Sequence, residues 1–359
     1  MAEVEEVPES LLAVGPWLAA RLPGADAVEL QGIRRASSGF SADTVMLDTV
    51  VTRAGGSTEE RYVLRTESPE PPIYPVQVPG WPVEIELQYR VMEALGRHSP
   101  VPVAPMLGYE PDTNVLGTQF FVMGFVGGQV PVEDPPYTTA GFFLDVAPAD
   151  RRRMIESGLG TLARVHEVDW RAAGLEWLVP PGTTAGLATQ VGLWEQYAHT
   201  ELRDRTHPLM DRAFAWLHAE RPVASPVGLC WGDPRPGNII WDDGAPACVT
   251  DFEAASIAPP ELDLGWWLMF DRTMHEGAGV ERPDGDPTRA EQLQMYETTS
   301  GRAVPDARWF EICAATRYCA IVVRVMNRAV DRGLMPEDHT IWIENPAVTA
   351  LEALIASTD

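Results

Sequence analysis

An α+β protein of two lobes is predicted by three features of the 359-residue sequence. Strand-like runs cluster before residue 126, helical periodicity dominates after it, and a polar loop followed by a short hairpin interrupts the helical part. The expected division is an N-terminal lobe, residues 1–125, with a five-stranded antiparallel sheet and one main helix, and a mainly helical C-terminal lobe, residues 126–359. Apolar residues make up 45% of the chain, enough for a sizeable core.

Leu11, Leu12, Trp17, Leu18 and Leu22 recur near helical period and predict a first amphipathic helix over 10–22. Strands follow at 27–35, 44–52 and 61–66. The turn between the first two contains Ser38, Gly39, Phe40 and Ser41, small residues that let backbone N–H groups approach phosphates. The third strand ends in Arg65. Residues 67–82 hold six prolines, at 69, 71, 72, 75, 79 and 82, and predict an ordered loop or lid. From Val83 the pattern is helical, with Glu84 and Gln88 one turn apart. Runs at 101–110 and 119–125 complete the sheet, and the last breaks into Met123-Gly-Phe-Val-Gly-Gly128.

In the second lobe, helices are predicted at 150–168, 190–206, 209–220, 261–270, 305–330 and 347–356. His166, alone on an apolar helix face, reads as a packed core residue. Between the third and fourth of these helices lies Leu229-Cys-Trp-Gly-Asp-Pro-Arg-Pro-Gly-Asn-Ile-Ile-Trp241, then an Asp-Asp-Gly turn and Cys248-Val-Thr-Asp-Phe-Glu253. Two short strands around that turn form a hairpin, which sets Asn238 nearly opposite Asp251 with Asp233 on the loop before them.

That grouping suits phosphoryl transfer, which asks the protein for a carboxylate to orient an acceptor hydroxyl and for oxygen ligands to Mg²⁺. Asp233 is the candidate catalytic carboxylate, and Asn238 and Asp251 are the candidate metal ligands. The arrangement is that of a protein-kinase-like site, and it gives the upstream features roles. Arg65 stands where a kinase strand presents its phosphate-pairing Lys. Glu84 or Gln88 is its helix partner, with spacing unable to separate them. Met123, Gly124 and Val126 lie at an interlobe hinge able to meet an adenine edge. Glu253 either joins the metal site or projects away, and Asp263, opening a helix, caps or anchors backbone near the loop.

Charge narrows the partners. The chain carries 52 acidic against 27 basic residues, all of them arginine, for a formal charge of −25. A nucleic-acid or anionic-membrane partner is not expected. An acidic N-terminus and the lack of any long apolar run lead to the expectation of a cytoplasmic protein. The four cysteines show no metal-ligand spacing and read as buried thiols.

The residues resemble the aminoglycoside-phosphotransferase-like (and choline kinase-like) family, whose loop commonly reads Leu-x-His-Gly-Asp-x-x-x-Gly-Asn. The similarity runs from Ser37-Ser-Gly-Phe-Ser41 through Val63-Leu-Arg65, Val101-Pro-Val103, Phe120 to Gly128, Leu162-Ala-Arg-Val-His166 and Trp231 to Asn238. It continues through Val249-Thr-Asp-Phe-Glu253 and Asp263-Leu264. The resemblance implies ATP- and Mg²⁺-dependent transfer to the hydroxyl of a small molecule, with Asp233 catalytic, Asn238 and Asp251 on the metal, and Arg65 on phosphate. Two departures are Trp231 where the family commonly has His, and Arg65 where many members have Lys. Members act on antibiotics, choline, homoserine, sugars and hydroxy acids, so the acceptor stays open. The alternatives are a kinase-fold nucleotide sensor without transfer, and nucleotidyl transfer to a protein.

Overall fold

The computed structural model describes residues 4–35, 43–79, 84–133, 135–223 and 226–356. The N-terminal sheet runs β1 (Ala25–Arg35), β2 (Asp43–Arg53), β3 (Gly56–Thr66), then β4 (Met106–Glu110) and β5 (Phe120–Gly124), in spatial order β1-β2-β3-β5-β4 with antiparallel neighbours throughout. The predicted helix over 10–22 is shorter in the structure, a 3₁₀ turn at Glu9–Leu11 followed by α1 (Val14–Ala19). Pro16 accounts for the late start, because proline lacks an N–H and fits only the first turn of a helix. The strand expected from 101 begins at Met106. Pro102 and Pro105 precede it, and this segment serves other partners: the Pro102 carbonyl accepts from Val249 N at 2.8 Å and that of Pro105 from Gly124 N at 2.8 Å.

Alternation along the strands gives the sheet two buried faces. Leu64, Phe120 and Val122 turn to one side with Val14, Trp17 and Leu18, whereas Val63, Phe121 and Met123 turn to the other with Ile85, Val91 and Leu95 of α2 (Glu84–His98). The second cluster continues without a break into the C-terminal lobe. The carboxylate of Glu67 accepts from the backbone N–H groups of Glu84 at 3.3 Å and Ile85 at 3.0 Å, which satisfies two donors at the start of α2.

The second lobe comprises α3 (Phe142–Asp145), α4 (Pro148–His166), α5 (Leu187–Leu202), α6 (Pro208–Ala219), β6 (Gly228–Cys230), β7 (Ile239–Asp242), β8 (Ala245–Val249) and β9 (Ser256–Ala258), then α7 (Glu261–Met274), α8 (Arg289–Ser300), α9 (Ala307–Asp331) and α10 (Pro346–Ala356). This is an α+β, bilobal protein-kinase-like fold. Helix α8 has no counterpart in the sequence reading; it carries few apolar residues, and its start is fixed by a capping box between Thr288 and Glu291. Helices α7 and α9 pack closely, because a Cβ on Gly265 would lie 2.4 Å from the Phe310 carbonyl oxygen. The four cysteines are free and buried, which pushes the thiols of Cys248 and Cys319 up to about 12. Among the described residues no helix is long and apolar enough to cross a membrane.

The proline-rich segment between β3 and α2 is an ordered strap, described over residues 67–79, that crosses to the C-terminal lobe. Arg324 donates to the carbonyls of Pro72 at 3.1 Å and Pro71 at 2.8 Å, Arg328 donates to Pro71 at 2.5 Å, and Arg332 pairs with Glu70 at 2.7 Å. Tyr197 donates to the Ile73 carbonyl. Prolines supply the carbonyls without competing N–H groups, and arginines spaced one turn apart on α9 and its end meet them.

Candidate active site

The β7–β8 hairpin closes on Asp243 and Gly244, both at positive φ, in the manner of a tight Asp-Gly hairpin turn. Pairing Ile239 with Val249 brings the ends of the loop together, and the Asn238 carbonyl accepts from Thr250 N at 3.0 Å. Asp251 then adopts a left-handed conformation, φ +57°, which turns its carboxylate toward β3. There Arg65 Nη1 donates to Asp251 Oδ1 at 2.6 Å and to Gln88 Oε1 at 2.9 Å, and Arg65 Nη2 lies 3.7 Å from Glu253 Oε1.

Of the two helix candidates, Gln88 hydrogen-bonds Arg65, while Glu84 lies against Glu253. Burial pushes the Glu253 carboxyl well above the usual range, and the Glu84 charge and hydrogen bond push it the same way. Burial works against the Arg65 charge, but Asp251 and Glu253 outweigh it and raise the guanidinium. One buried cation thus faces a cluster of carboxylates.

At the other end Asp233 is buried and saturated with donors. Its Oδ2 accepts from Asn238 Nδ2 at 2.8 Å, Arg235 Nε at 3.0 Å and the Tyr74 hydroxyl at 3.0 Å, and its Oδ1 accepts from Trp266 Nε1 at 2.6 Å. Asn238 Nδ2 also donates to the Asp233 carbonyl at 2.9 Å. Arg235 stacks over Phe270 at 5.0 Å and pairs with Glu133, whose carboxyl burial raises and Arg235 lowers. Burial, followed by the Asp233 charge, pushes the Tyr74 phenol well above its ordinary value, so it remains a donor.

The backbone of the loop has its own support. Asp263 accepts from Trp231 N at 2.6 Å and Gly232 N at 3.0 Å, and His166 Nε2 meets the same carboxylate at 3.0 Å while its Nδ1 meets the Tyr296 hydroxyl at 2.7 Å. His166 is therefore a buried structural group and Asp263 a backbone anchor. Gly232 has φ +96°, and a Cβ there would sit 2.3 Å from the Ala254 carbonyl oxygen, so only glycine fits. Trp231 is more than packing: its ring stacks on Phe252 at 5.6 Å, and Nε1 donates to the carbonyl of Thr250 at 2.7 Å and to that of Asp251 at 3.2 Å. The indole ties the Asp233 loop to the Asp251 turn.

The sequence candidates converge unevenly. Asp233, Asn238, Asp251, Arg65 and Gln88 come together, with Glu84 adjacent through Glu253. Met123 and Gly124 end β5 beside β3, where the Gly124 N–H donates to the Pro105 carbonyl. Val126 follows two residues past the end of β5. Ser38, Gly39, Phe40 and Ser41 lie outside the described residues. Sequence reasoning passed over Tyr74, Glu133, Arg235 and Trp266. Arg235 alone carried a local signal, two residues from Asp233; the others arrive from three separate segments. A second cluster, Asp271, His275 and Asp286, has ligand atoms within 4.8 Å of one another. Arg282, donating to Asp271 Oδ1 at 3.1 Å and Oδ2 at 2.5 Å, already supplies a cation there.

A family model described as the phosphotransferase enzyme family matches residues 32–308, which contain all of these groups. The chain belongs to the phosphotransferase enzyme family. Among solved structures, a candidate aminoglycoside phosphotransferase from Ralstonia eutropha JMP134 superposes with a TM-score of 0.70 at 23% identity, over 95% of this chain and 94% of the other. The macrolide 2'-phosphotransferase MphH from Brachybacterium faecium gives 0.55 at 19%, over 96% and 98%. A complex of the aminoglycoside phosphotransferase APH(4)-Ia with ADP and hygromycin B gives 0.58 at 13%, over 96% and 98%. At these identities the family fold is what is shared. Curated relatives include acyl-CoA dehydrogenase family member 11 of Pongo abelii, 28% identical over 85% of this chain, and of Gallus gallus, 31% identical over 66%. This chain spans only 39% and 28% of their respective lengths.

Proposed function

We propose that this protein is a small-molecule O-kinase that moves the γ-phosphoryl group of ATP to a substrate hydroxyl. The observation that carries this reading is the convergence of Arg65, the loop residues Asp233 and Asn238, and Asp251 from three places in the sequence onto one site. In the proposed reaction the acceptor oxygen bonds to the γ-phosphorus and the bond to the β–γ bridging oxygen breaks. ADP leaves with that electron pair, and the hydroxyl proton passes to Asp233.

The donor set suits Mg²⁺. Asn238 points its amide nitrogen at Asp233, leaving Oδ1, and Arg65 occupies one oxygen of Asp251, leaving the other, so the pair offers the hard oxygen ligands that ion prefers. Bound there, the ion would neutralise charge on the phosphates. Arg65, already charged and ordered between Gln88 and Asp251, pairs with phosphate oxygens through a planar fork where Lys would act as a point charge. Complexes of family-fold neighbours with ADP and with AMP-PNP support an adenine nucleotide as donor, and one with GDP keeps GTP in the test.

The test is product formation from Mg²⁺–ATP or Mg²⁺–GTP over a panel of aminoglycosides, macrolides, amino alcohols, hydroxy acids and their CoA thioesters. The thioesters are included because matched relatives carry acyl-CoA dehydrogenase names. Asp233→Ala should lower turnover by about 10²–10⁴-fold, the usual contribution of a positioned base. Full turnover in that variant would exclude the mechanism. The sensor reading draws on the fully satisfied Asp233 carboxylate; it predicts saturable nucleotide binding and no product from any acceptor.

A further inference from the structure

We infer that the acceptor hydroxyl binds where the Tyr74 hydroxyl now stands, and that the acceptor presents an apolar flank to the aromatic wall around Asp233. This rests on the kinase reading above and names the substrate class of the same site.

Three of the four donors on Asp233 belong to its own neighbourhood: Arg235 and Asn238 on the same loop, and Trp266 on α7. The fourth, Tyr74, arrives on the strap that leaves β3, and it is the one hydroxyl among these donors. A general base must lie within hydrogen-bond reach, about 2.6–3.2 Å, of the hydroxyl it serves. Tyr74 stands at 3.0 Å from Oδ2, an oxygen that already accepts from Arg235 and Asn238. With three donors already crowded on Oδ2, a second hydroxyl served by that oxygen takes the place of the phenol. The strap backbone stays tied to α9 through Pro71 and Pro72, so the movement required is that of the Tyr74 side chain.

Displacing it uncovers rings. Trp194 meets Tyr74 edge-on at 6.5 Å, Trp266 contacts Phe270 at 5.5 Å and Tyr318 at 6.1 Å, and Arg317 lies between Trp194 and Trp266 at 4.5 and 4.7 Å. The charges in this wall have partners: Arg317 donates to the Gly232 carbonyl at 3.0 Å, and Glu133 is paired with Arg235. Among the described residues the wall's one carboxylate besides Asp233, that of Glu133, is already paired with Arg235, which disfavours a polyamine; an alcohol on an aromatic or aliphatic body matches the rings.

Tyr74→Phe and Tyr74→Ala test the placement, with ADP release from Mg²⁺–ATP measured without added acceptor. With the hydroxyl gone, water gains the acceptor position, and hydrolysis to ADP and phosphate should rise several-fold over the unaltered protein, more in Ala than in Phe. The ATP-induced thermal shift, read in parallel, should remain, showing that both variants fold. Benzyl alcohol should be phosphorylated faster than kanamycin, most clearly by Tyr74→Ala. Phosphate found on Tyr74 itself in the unaltered protein would support the same placement. Unchanged or slower hydrolysis in both folded variants, or preference for kanamycin, would overturn the inference. Failure of the kinase reading looks different: no product in the unaltered protein from any acceptor, and no hydrolysis in any variant that still binds nucleotide.

Discussion

The two ends of the site are built on opposite principles. At Asp251, one arginine faces a carboxylate pair and a third acid, Glu84, stands behind them; the carboxylate side chain remains about a third exposed, at 34%. At Asp233, one buried carboxylate receives four donors from the protein. The first end has more acidic side chains than cations and a partly open face, to which a cation carrying a polyphosphate can be added. The second end already has four donors, so in the inference above a ligand substitutes for a group already there. On the proposed reading, the nucleotide side and the acceptor side differ in what binding does: addition at one, exchange at the other.

Several substitutions probe this difference. The largest stability effect is expected at the support common to both ends. Asp263→Ala removes the acceptor of two buried N–H groups and the partner of His166, and should cost about 3–5 kcal/mol, read as a lower urea midpoint with an unchanged slope. Arg65→Lys acts at the Asp251 end alone. Losing one of the guanidinium's charged hydrogen bonds, about 1.5–3 kcal/mol, should weaken ATP binding at least tenfold while leaving hydrolysis per bound nucleotide less affected. If acceptor affinity fell equally, the two ends would not be separable. Trp231→Phe keeps a ring on Phe252 but drops the donor to the Thr250 and Asp251 carbonyls. A loss of about 1 kcal/mol is expected, with a larger effect on nucleotide than on acceptor affinity.

The smallest effect lies away from both ends. Burial lowers the pKa of His275, but the Asp286 hydrogen bond and the Asp271 charge outweigh it, and the folded value lies above 6.5. A raised folded value means that the protonated form is favoured by folding; its stability is fully present below pH 6.5 and is lost as pH rises through the folded value. His275→Gln should flatten the urea midpoint between neutral and alkaline pH and leave ATP binding unaltered. A shift in nucleotide affinity would tie this cluster to the site.

The fold class and the central residues were legible because they are local signals. Periods of 2 and 3.6 marked the strands and long helices, the Asp-Gly turn marked the hairpin, and the five-residue offset of Asp233 and Asn238 lies within one loop. The short α1 and the late start of β4 came from prolines whose effect was readable in hindsight. Helix α8 had no apolar stripe to betray it. The choice between Glu84 and Gln88 turned on which rotamer reaches Arg65 across two elements, something spacing on one helix does not contain.

By itself the sequence determined a two-lobed α+β chain and singled out Arg65, Asn238, Asp233 and Asp251 as the candidate groups, since each sits in a short pattern fixed by backbone geometry. Only the tertiary structure decided the surroundings of Asp233. Tyr74, Trp266, Arg317 and Glu133 are separated from it by between 33 and 159 positions. What brings them together is the docking of the strap on α9 and of α7 beneath the loop, long-range contacts that leave no periodic trace in the chain.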